Sequence, residues 1–334
     1  MSPAAMQMQM QVELERLPLK APFRISGYTF TEVPVVVVTL QRVQARGRGE
    51  AAGVYYLDDT PDRMIATIEA LRPQIERGVD REWLGGALPP CGARNAIDCA
   101  LWELEASESK SAVWSLAGVK ALAPRITTLT LSADDPVAVA RAADLLARAR
   151  ALKLKLNGDL EGDLARVRAV RDTCPDVWLG VDANQGYSVD KLASLMPALI
   201  EANVQLLEQP LPRGREFELR SLQSPIPIAA DESIQSLADL AAFADCFDVV
   251  NIKLDKCGGL TEALQIAAEA RRLGLQVMVG NMVGTSWAMA PAFVVAQLCD
   301  YVDLDGPTFI TRDREPAVRY EDGRIYCDEA VWGK

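Results

Sequence analysis

At 334 residues, 49% hydrophobic and 24% charged, the chain is long enough for a large core and exceeds one typical domain. A net charge of −11 with no basic run provides no cationic face for phosphate, so neither nucleic acid nor an anionic membrane is an expected partner. The chain has no histidine, which removes Ser-His-Asp hydrolysis, His-ligated zinc and every His general base, and leaves acid and base work to Lys, Asp, Glu, Tyr or Cys.

Met1 to Met10 lacks the charged start and apolar run of a signal peptide, and the alternation from Gln7 to Leu14 reads as a strand. Seven scattered cysteines without CxxC spacing suggest neither disulfides nor zinc, so a reducing cytoplasm is the expected location. A hairpin pattern (Val33 to Leu40, then Gly47 to Val54) precedes helical stretches at Arg63 to Gln74 and Ala93 to Ala106. Residues 1–120 are therefore expected to form an α+β capping domain.

From about residue 125 short β-rich runs alternate with helical stretches. The runs are Ile126 to Leu131, Leu152 to Leu156, Val177 to Val181, Val204 to Leu207, Ile226 to Ala230, Val249 to Leu254, Leu275 to Val279 and Tyr301 to Leu304. Helical spacing fills intervals such as Pro136 to Ala149, Asp163 to Asp172, Val189 to Ala202 and Thr261 to Leu273. Eight repeats of this unit predict an α/β fold of the (β/α)8, TIM-like type over residues 121–307, and residues 308–334 are expected to pack back on the capping domain. The uncharged stretch from Gly274 to Cys299 is cut by Gly280, Asn281, Gly284 and Pro291 into pieces too short to span a membrane.

In a parallel barrel, functional groups stand at the carboxyl ends of the strands. Asp182, Glu208 and Asp231 occur one per consecutive strand, so their carboxylates can converge, and three hard oxygen ligands suit Mg²⁺. As isolated residues they would equally serve as helix N-caps. Lys153 and Lys155 share one face of the second strand, and Lys253 lies four strands away across the ring. Burying an ammonium is unfavourable without a partner charge or loss of the proton, and a neighbouring cation would depress the pKa of Lys155 toward that of a general base. Two facing lysines over a metal make a two-base device, one removing a proton from a carbon and the other returning it on the opposite side.

Several motifs carry a family resemblance: Ala93 to Leu104, Leu152-Lys153-Leu154-Lys155-Leu156, Val181-Asp182-Ala183-Asn184, Glu208-Gln209-Pro210, Ala230-Asp231-Glu232-Ser233 and Asn251 to Gly259. On these the chain resembles the enolase superfamily, in the subgroup of muconate lactonising enzymes and dipeptide epimerases. The resemblance implies an enolase-type modified barrel, Asp182, Glu208 and Asp231 as Mg²⁺ ligands, and Lys155 and Lys253 as acid/base pair. It further implies that Lys153 helps neutralise the substrate carboxylate. Absence of histidine excludes the branch whose second base is a His-Asp dyad.

Asp303-Leu304-Asp305 resembles the DxD motif that holds the substrate's α-ammonium in dipeptide epimerases, and Tyr28 and Thr130 are further expected substrate contacts. The similarity is greatest to L-Ala-D/L-Glu epimerases of murein peptides, but the stretch Phe23 to Phe30 offers only Arg24 as a cation, and Tyr55-Tyr56-Leu57-Asp58-Asp59 suits a hydrophobic or cationic second residue. The expected activity is epimerisation at the α-carbon of a dipeptide's C-terminal residue through an enediolate. Two alternatives stay open: a succinylbenzoate synthase or muconate cycloisomerase reaction, and a non-catalytic binding protein whose metal only holds the barrel together. Homo-oligomerisation is possible.

Overall fold

The computed structural model describes residues 8–25, 28–222 and 224–334; the side chains of Ile25 and Tyr28 lie outside that description. An antiparallel sheet of β1 (Gln9–Ile25), β2 (Tyr28–Arg42) and β3 (Ala45–Ala51) comes first. It is followed by α1 (Pro61–Glu76), α2 (Arg81–Ala87), α3 (Gly92–Ser109) and the short α4 (Val113–Leu116). The β4 strand (Arg125–Ile126) leads into the barrel.

The barrel runs β5 (Thr128–Leu131), α5 (Pro136–Leu145), β6 (Ala151–Lys155), α6 (Leu160–Thr173), β7 (Trp178–Asp182), α7 (Val189–Glu201), β8 (Val204–Glu208) and β9 (Ile228–Ala230). It continues through α8 (Leu237–Phe243), β10 (Val249–Ile252), α9 (Leu254–Cys257), α10 (Leu260–Arg272), β11 (Gln276–Val279), α11 (Ser286–Ala296) and β12 (Tyr301–Val302). Strands β13 (Arg319–Glu321) and β14 (Arg324–Tyr326) close the chain. Helices form where apolar residues recur at three and four: α7 buries Leu192, Leu195, Met196 and Leu199, and Ser188 caps its first turn by accepting from the Lys191 N–H.

The eight barrel strands pair in parallel in sequence order, β5 beside β6 through to β12. The seam between β12 and β5 is bridged by side chains: Thr127 Oγ1 accepts the Leu304 N–H at 2.9 Å, and Asp305 accepts the Thr130 N–H at 2.7 Å. Several strands are shorter than the sequence reading has them, Val249–Ile252 and Tyr301–Val302 among them, and two differences change the architecture. Ile126 belongs to a separate small sheet with β13 and β14, and the first barrel strand starts at Thr128. Between β8 and β9 there is a 3-10 turn, Glu216–Ser221, in place of an α-helix.

Period-two alternation decides what fills the barrel. On β6, Leu152 and Leu154 join the large apolar cluster shared with the surrounding helices, while Lys153 and Lys155 take the other face, which points inward. The amino-terminal end of the interior is plugged by Leu206, Ala229, Val249 and Met278, with Trp178 and Tyr301 ring to ring at 5.8 Å. One pleat further along each of these strands come Glu208, Asp231, Asn251 and Gly280, so the interior changes from apolar to polar over two residues.

Helix α3 joins the first sheet to the barrel. Arg94 donates to the carbonyls of Cys257 (2.6 Å) and Gly258 (3.1 Å), and Asp98 accepts the Thr261 N–H at 2.9 Å, capping α10 from another element. The tail touches both parts. Trp332 donates its indole N–H to the Arg48 carbonyl at 2.7 Å, and Tyr320 its hydroxyl to the Leu304 carbonyl at 2.7 Å. No described helix is long and apolar enough to cross a membrane.

Candidate active site

Strand register sets the site's level. Lys155 pairs with Asp182 and Asp182 with Glu208, so one tier of the interior carries these three side chains side by side. Asp182, Glu208 and Asp231 are almost completely buried and offer oxygens all within 4.8 Å of one another. Such crowding disfavours full ionisation without a compensating cation: burial, then Asp182, pushes the Glu208 carboxyl up to about 7, against the pull of Lys153. A buried set of hard oxygens at this spacing fits a divalent cation.

The three predicted lysines meet this cluster. Lys155 Nζ donates to Asp182 at 2.5 Å and Lys253 Nζ to Asp231 at 2.6 Å, each with side-chain exposure below a tenth. Lys253 stands just past the end of β10, where it precedes α9. Burial works to lower its pKa, but Asp231 and the neighbouring carboxylates outweigh that and raise it. Lys153 bridges Glu208 at 3.3 Å and Asp303, and the same balance of burial against these acids raises its pKa. Gly280 makes this convergence possible, because a Cβ there would lie 2.7 Å from Asn251 Oδ1 and 3.1 Å from Lys253 Cε.

The Asp303/Asp305 pair also lies in the site, but its members are unequal. Asp303 is committed to Lys153 and to the Thr128 hydroxyl. Burial raises its pKa, yet Lys153 prevails and holds it below the usual carboxylate range. Asp305 binds the Thr130 N–H through Oδ2, and burial followed by Asp303 lifts its pKa to about 6. Thr130 thus supports Asp305 through its main chain and also lines the cavity. Tyr28 falls on β2, but its side chain is outside the described residues.

The three lysines, Asp231, Asp303 and Asp305 line a cavity of about 260 Å³, many times the space of one water, roofed by Phe23, Phe30, Tyr55 and Tyr56 of the first sheet and its following loop.

Comparison with known proteins agrees with this architecture. Residues 7–118 match the mandelate racemase/muconate lactonizing enzyme N-terminal domain, and residues 137–331 match the enolase C-terminal domain-like model. The chain belongs to the mandelate racemase/muconate lactonizing enzyme family of the enolase superfamily. It is 38% identical to an L-Ala-D/L-Glu epimerase of Escherichia coli (strain K12), over 93% of this chain and 97% of that protein. An enolase family member from Agrobacterium tumefaciens, with homology to dipeptide epimerases and holding sodium and L-Ala-L-Glu, superposes at TM-score 0.93. It is 38% identical and the match covers 98% of this chain and 100% of that one. A dipeptide epimerase from Methylococcus capsulatus complexed with Mg and L-Arg-D-Lys gives TM-score 0.87 at 32% identity, covering 96% and 97% of the two chains.

Within this family member, sequence reasoning missed several polar residues. Lys256 is 2% exposed and donates to Asp231 Oδ1 (2.7 Å), to the carbonyls of Asn251 (3.0 Å) and Ile234 (3.1 Å), and to that of Asp231 itself. Its spacing of three from Lys253, one helical turn, was the available signal. Asn251 donates to Glu208 at 2.7 Å, and Gln209 Oε1 accepts the N–H groups of Asp231 (3.0 Å) and Ser233 (3.1 Å), fixing the strand ends that carry two of the acids. Glu232 is 3% exposed, lines the cavity and has one oxygen without a hydrogen-bond partner.

Proposed function

We propose that the protein is a Mg²⁺-dependent dipeptide epimerase that inverts the α-carbon of the C-terminal residue, with Lys155 and Lys253 as its two acid/base groups. The observation that carries this reading is the placement of those amines: four strands apart in an eight-stranded ring, both buried, both turned to one carboxylate cluster. The names and ligands of the related epimerases support the substrate class.

Asp182, Glu208 and Asp231 would hold the metal, whose charge offsets that developing on the substrate carboxylate as the adjacent carbon loses its proton. Lys153, one pleat below Lys155 and 3.3 Å from Glu208, adds a positive charge on that side. Asp305, which lines the cavity and is held by Thr130, together with Asp303, provides the negative end for the substrate's α-ammonium. Bound in this way, the α-carbon would stand between the two acid/base amines. A neutral amine on one face takes the α-hydrogen, the C–H electron pair passes into the carboxylate as an enediolate, and the ammonium on the other face delivers a proton to the same carbon. Elimination and cycloisomerisation substrates carry no ammonium for Asp305 to meet.

The test is incubation of the Mg²⁺-loaded protein with a panel of L,L-dipeptides in D₂O. α-Deuterium and the L,D product should appear together, read by proton NMR and chiral chromatography. Absence of both with every member would refute the proposal.

A further inference from the structure

We infer that the side-chain subsites of this cavity take apolar residues, so that the preferred substrates are dipeptides with aliphatic or aromatic side chains and an acidic C-terminal residue is disfavoured; this rests on the epimerase reading above. One continuous aromatic surface carries the inference. Near Asp305, Phe23 packs on Phe309 with ring centroids 4.9 Å apart, where the side chain next to a bound ammonium would lie. Phe30, the cross-strand partner of Phe23, meets Tyr55 at 5.3 Å and Tyr55 meets Tyr56 at 5.2 Å, so the aromatic lining continues from β1 into the loop after β3. Tyr55 and Tyr56 line the same cavity as Lys253 and Asp231, the groups proposed to act at the C-terminal residue. Val33, Met282 and Val283 add further apolar surface to the lining.

Charge at the lining points the same way. Its cations are Lys153, Lys155 and Lys253, and each already faces a buried carboxylate. Arg24 is half exposed and paired with Asp134 at 3.0 Å, while Arg213 is exposed and outside the lining. Ile25, Ser26, Gly27 and Tyr28 carry no positive charge whatever their placement. A glutamate side chain entering here would be desolvated against aromatic rings, and the lining's charged groups outside the described ion pairs, Asp59, Glu232 and Asp305, are all acidic. Aliphatic and aromatic side chains need no such partner and remove the walls from water. Glu232 follows the proposed ligand Asp231 directly and is 3% exposed, so it belongs with the carboxylate cluster and not with the walls.

The experiment compares kcat/KM for α-proton exchange in D₂O by the Mg²⁺-loaded protein on L-Ala-L-Ala, L-Ala-L-Leu, L-Ala-L-Phe, L-Ala-L-Lys and L-Ala-L-Glu. The Leu or Phe member should exceed L-Ala-L-Ala, and exceed L-Ala-L-Glu, by about tenfold or more. In Tyr55→Ala the loss on L-Ala-L-Phe should be larger than the loss on L-Ala-L-Ala. Preference for Glu, which would require Arg24 or Arg213 to turn inward, or for Lys, which would enlist Glu232, overturns the inference and leaves the epimerase reading standing. Equal losses in Tyr55→Ala also overturn it. Exchange with no dipeptide at all defeats the epimerase reading itself.

Discussion

Lys256 donates to the carboxylate of Asp231 at 2.7 Å and also to the same residue's main-chain carbonyl, so one buried ammonium holds both ends of a proposed metal ligand. Asp231 is thereby kept below the usual carboxylate range: burial opposes ionisation, but Lys253 and Lys256 together prevail. Replacing Lys256 by Met removes the donor from three main-chain carbonyls that have little access to water. The variant should lose about 3 kcal/mol or more of stability in denaturant titration. Calorimetry should show weaker Mg²⁺ binding in whatever fraction remains folded, whereas an unchanged affinity would mean that Asp231 needs no such anchor.

The paired amines predict a one-sided defect. Lys155→Ala and Lys253→Ala should each lower epimerisation by a factor on the order of 10²–10⁴. Each variant should still exchange the α-hydrogen of one epimer, the one that presents it to the surviving lysine. NMR of both L,L and L,D substrates in D₂O reads this, and loss of exchange from both epimers in either variant would contradict independent bases.

Metal dependence should appear in stability as well as in turnover, because three crowded carboxylates repel one another. Mg²⁺ at about a hundred times its dissociation constant should add about 2.7 kcal/mol relative to chelator-treated protein. Asp182→Asn should shrink that increment, and thermal melts with and without EDTA give the measurement.

Asp255 joins the loop after Lys253 to the cap, accepting the N–H groups of Ala52 (2.9 Å) and Gly53 (3.0 Å) through one oxygen. Burial, opposed by these bonds and by Asn95 and reinforced by Asp59, raises its pKa to about 7. The folded state therefore binds this proton more tightly than the unfolded chain does. The contribution to stability is fully present below about pH 4 and is lost as pH rises toward 7. Asp255→Asn keeps the acceptor and removes the titration. Subtracting its stability profile from that of the parent should leave a difference of a few kcal/mol that develops across this window.

Gly259 sits at φ 118°, a conformation almost confined to glycine, and a Cβ there would lie 2.4 Å from Asp98 Oδ2. Gly259→Ala should cost about 2 kcal/mol or more in chemical denaturation, since backbone strain adds to the break in the contact between α3 and α10.

The sequence by itself determined the alternating strand and helix order, the absence of histidine chemistry and which lysines and acids share a face, because these follow from period-two and period-3.6 geometry and residue type alone. It also placed the cavity's aromatic residues near the site, through the Phe23 to Phe30 stretch and the Tyr55-Tyr56 pair. Tertiary structure alone decided what each charge faces. That Asp303 is taken up by Lys153 and Thr128 while Asp305 is held by Thr130 depends on how the last barrel strand meets the first two. That Lys256 grips Asp231, and that Arg94 and Asp98 in the cap hold the loop after Lys253, depends on packing between residues 25 to 164 positions apart. Local periodicity orients a side chain relative to its own strand or helix, but its partner is set only when distant elements dock.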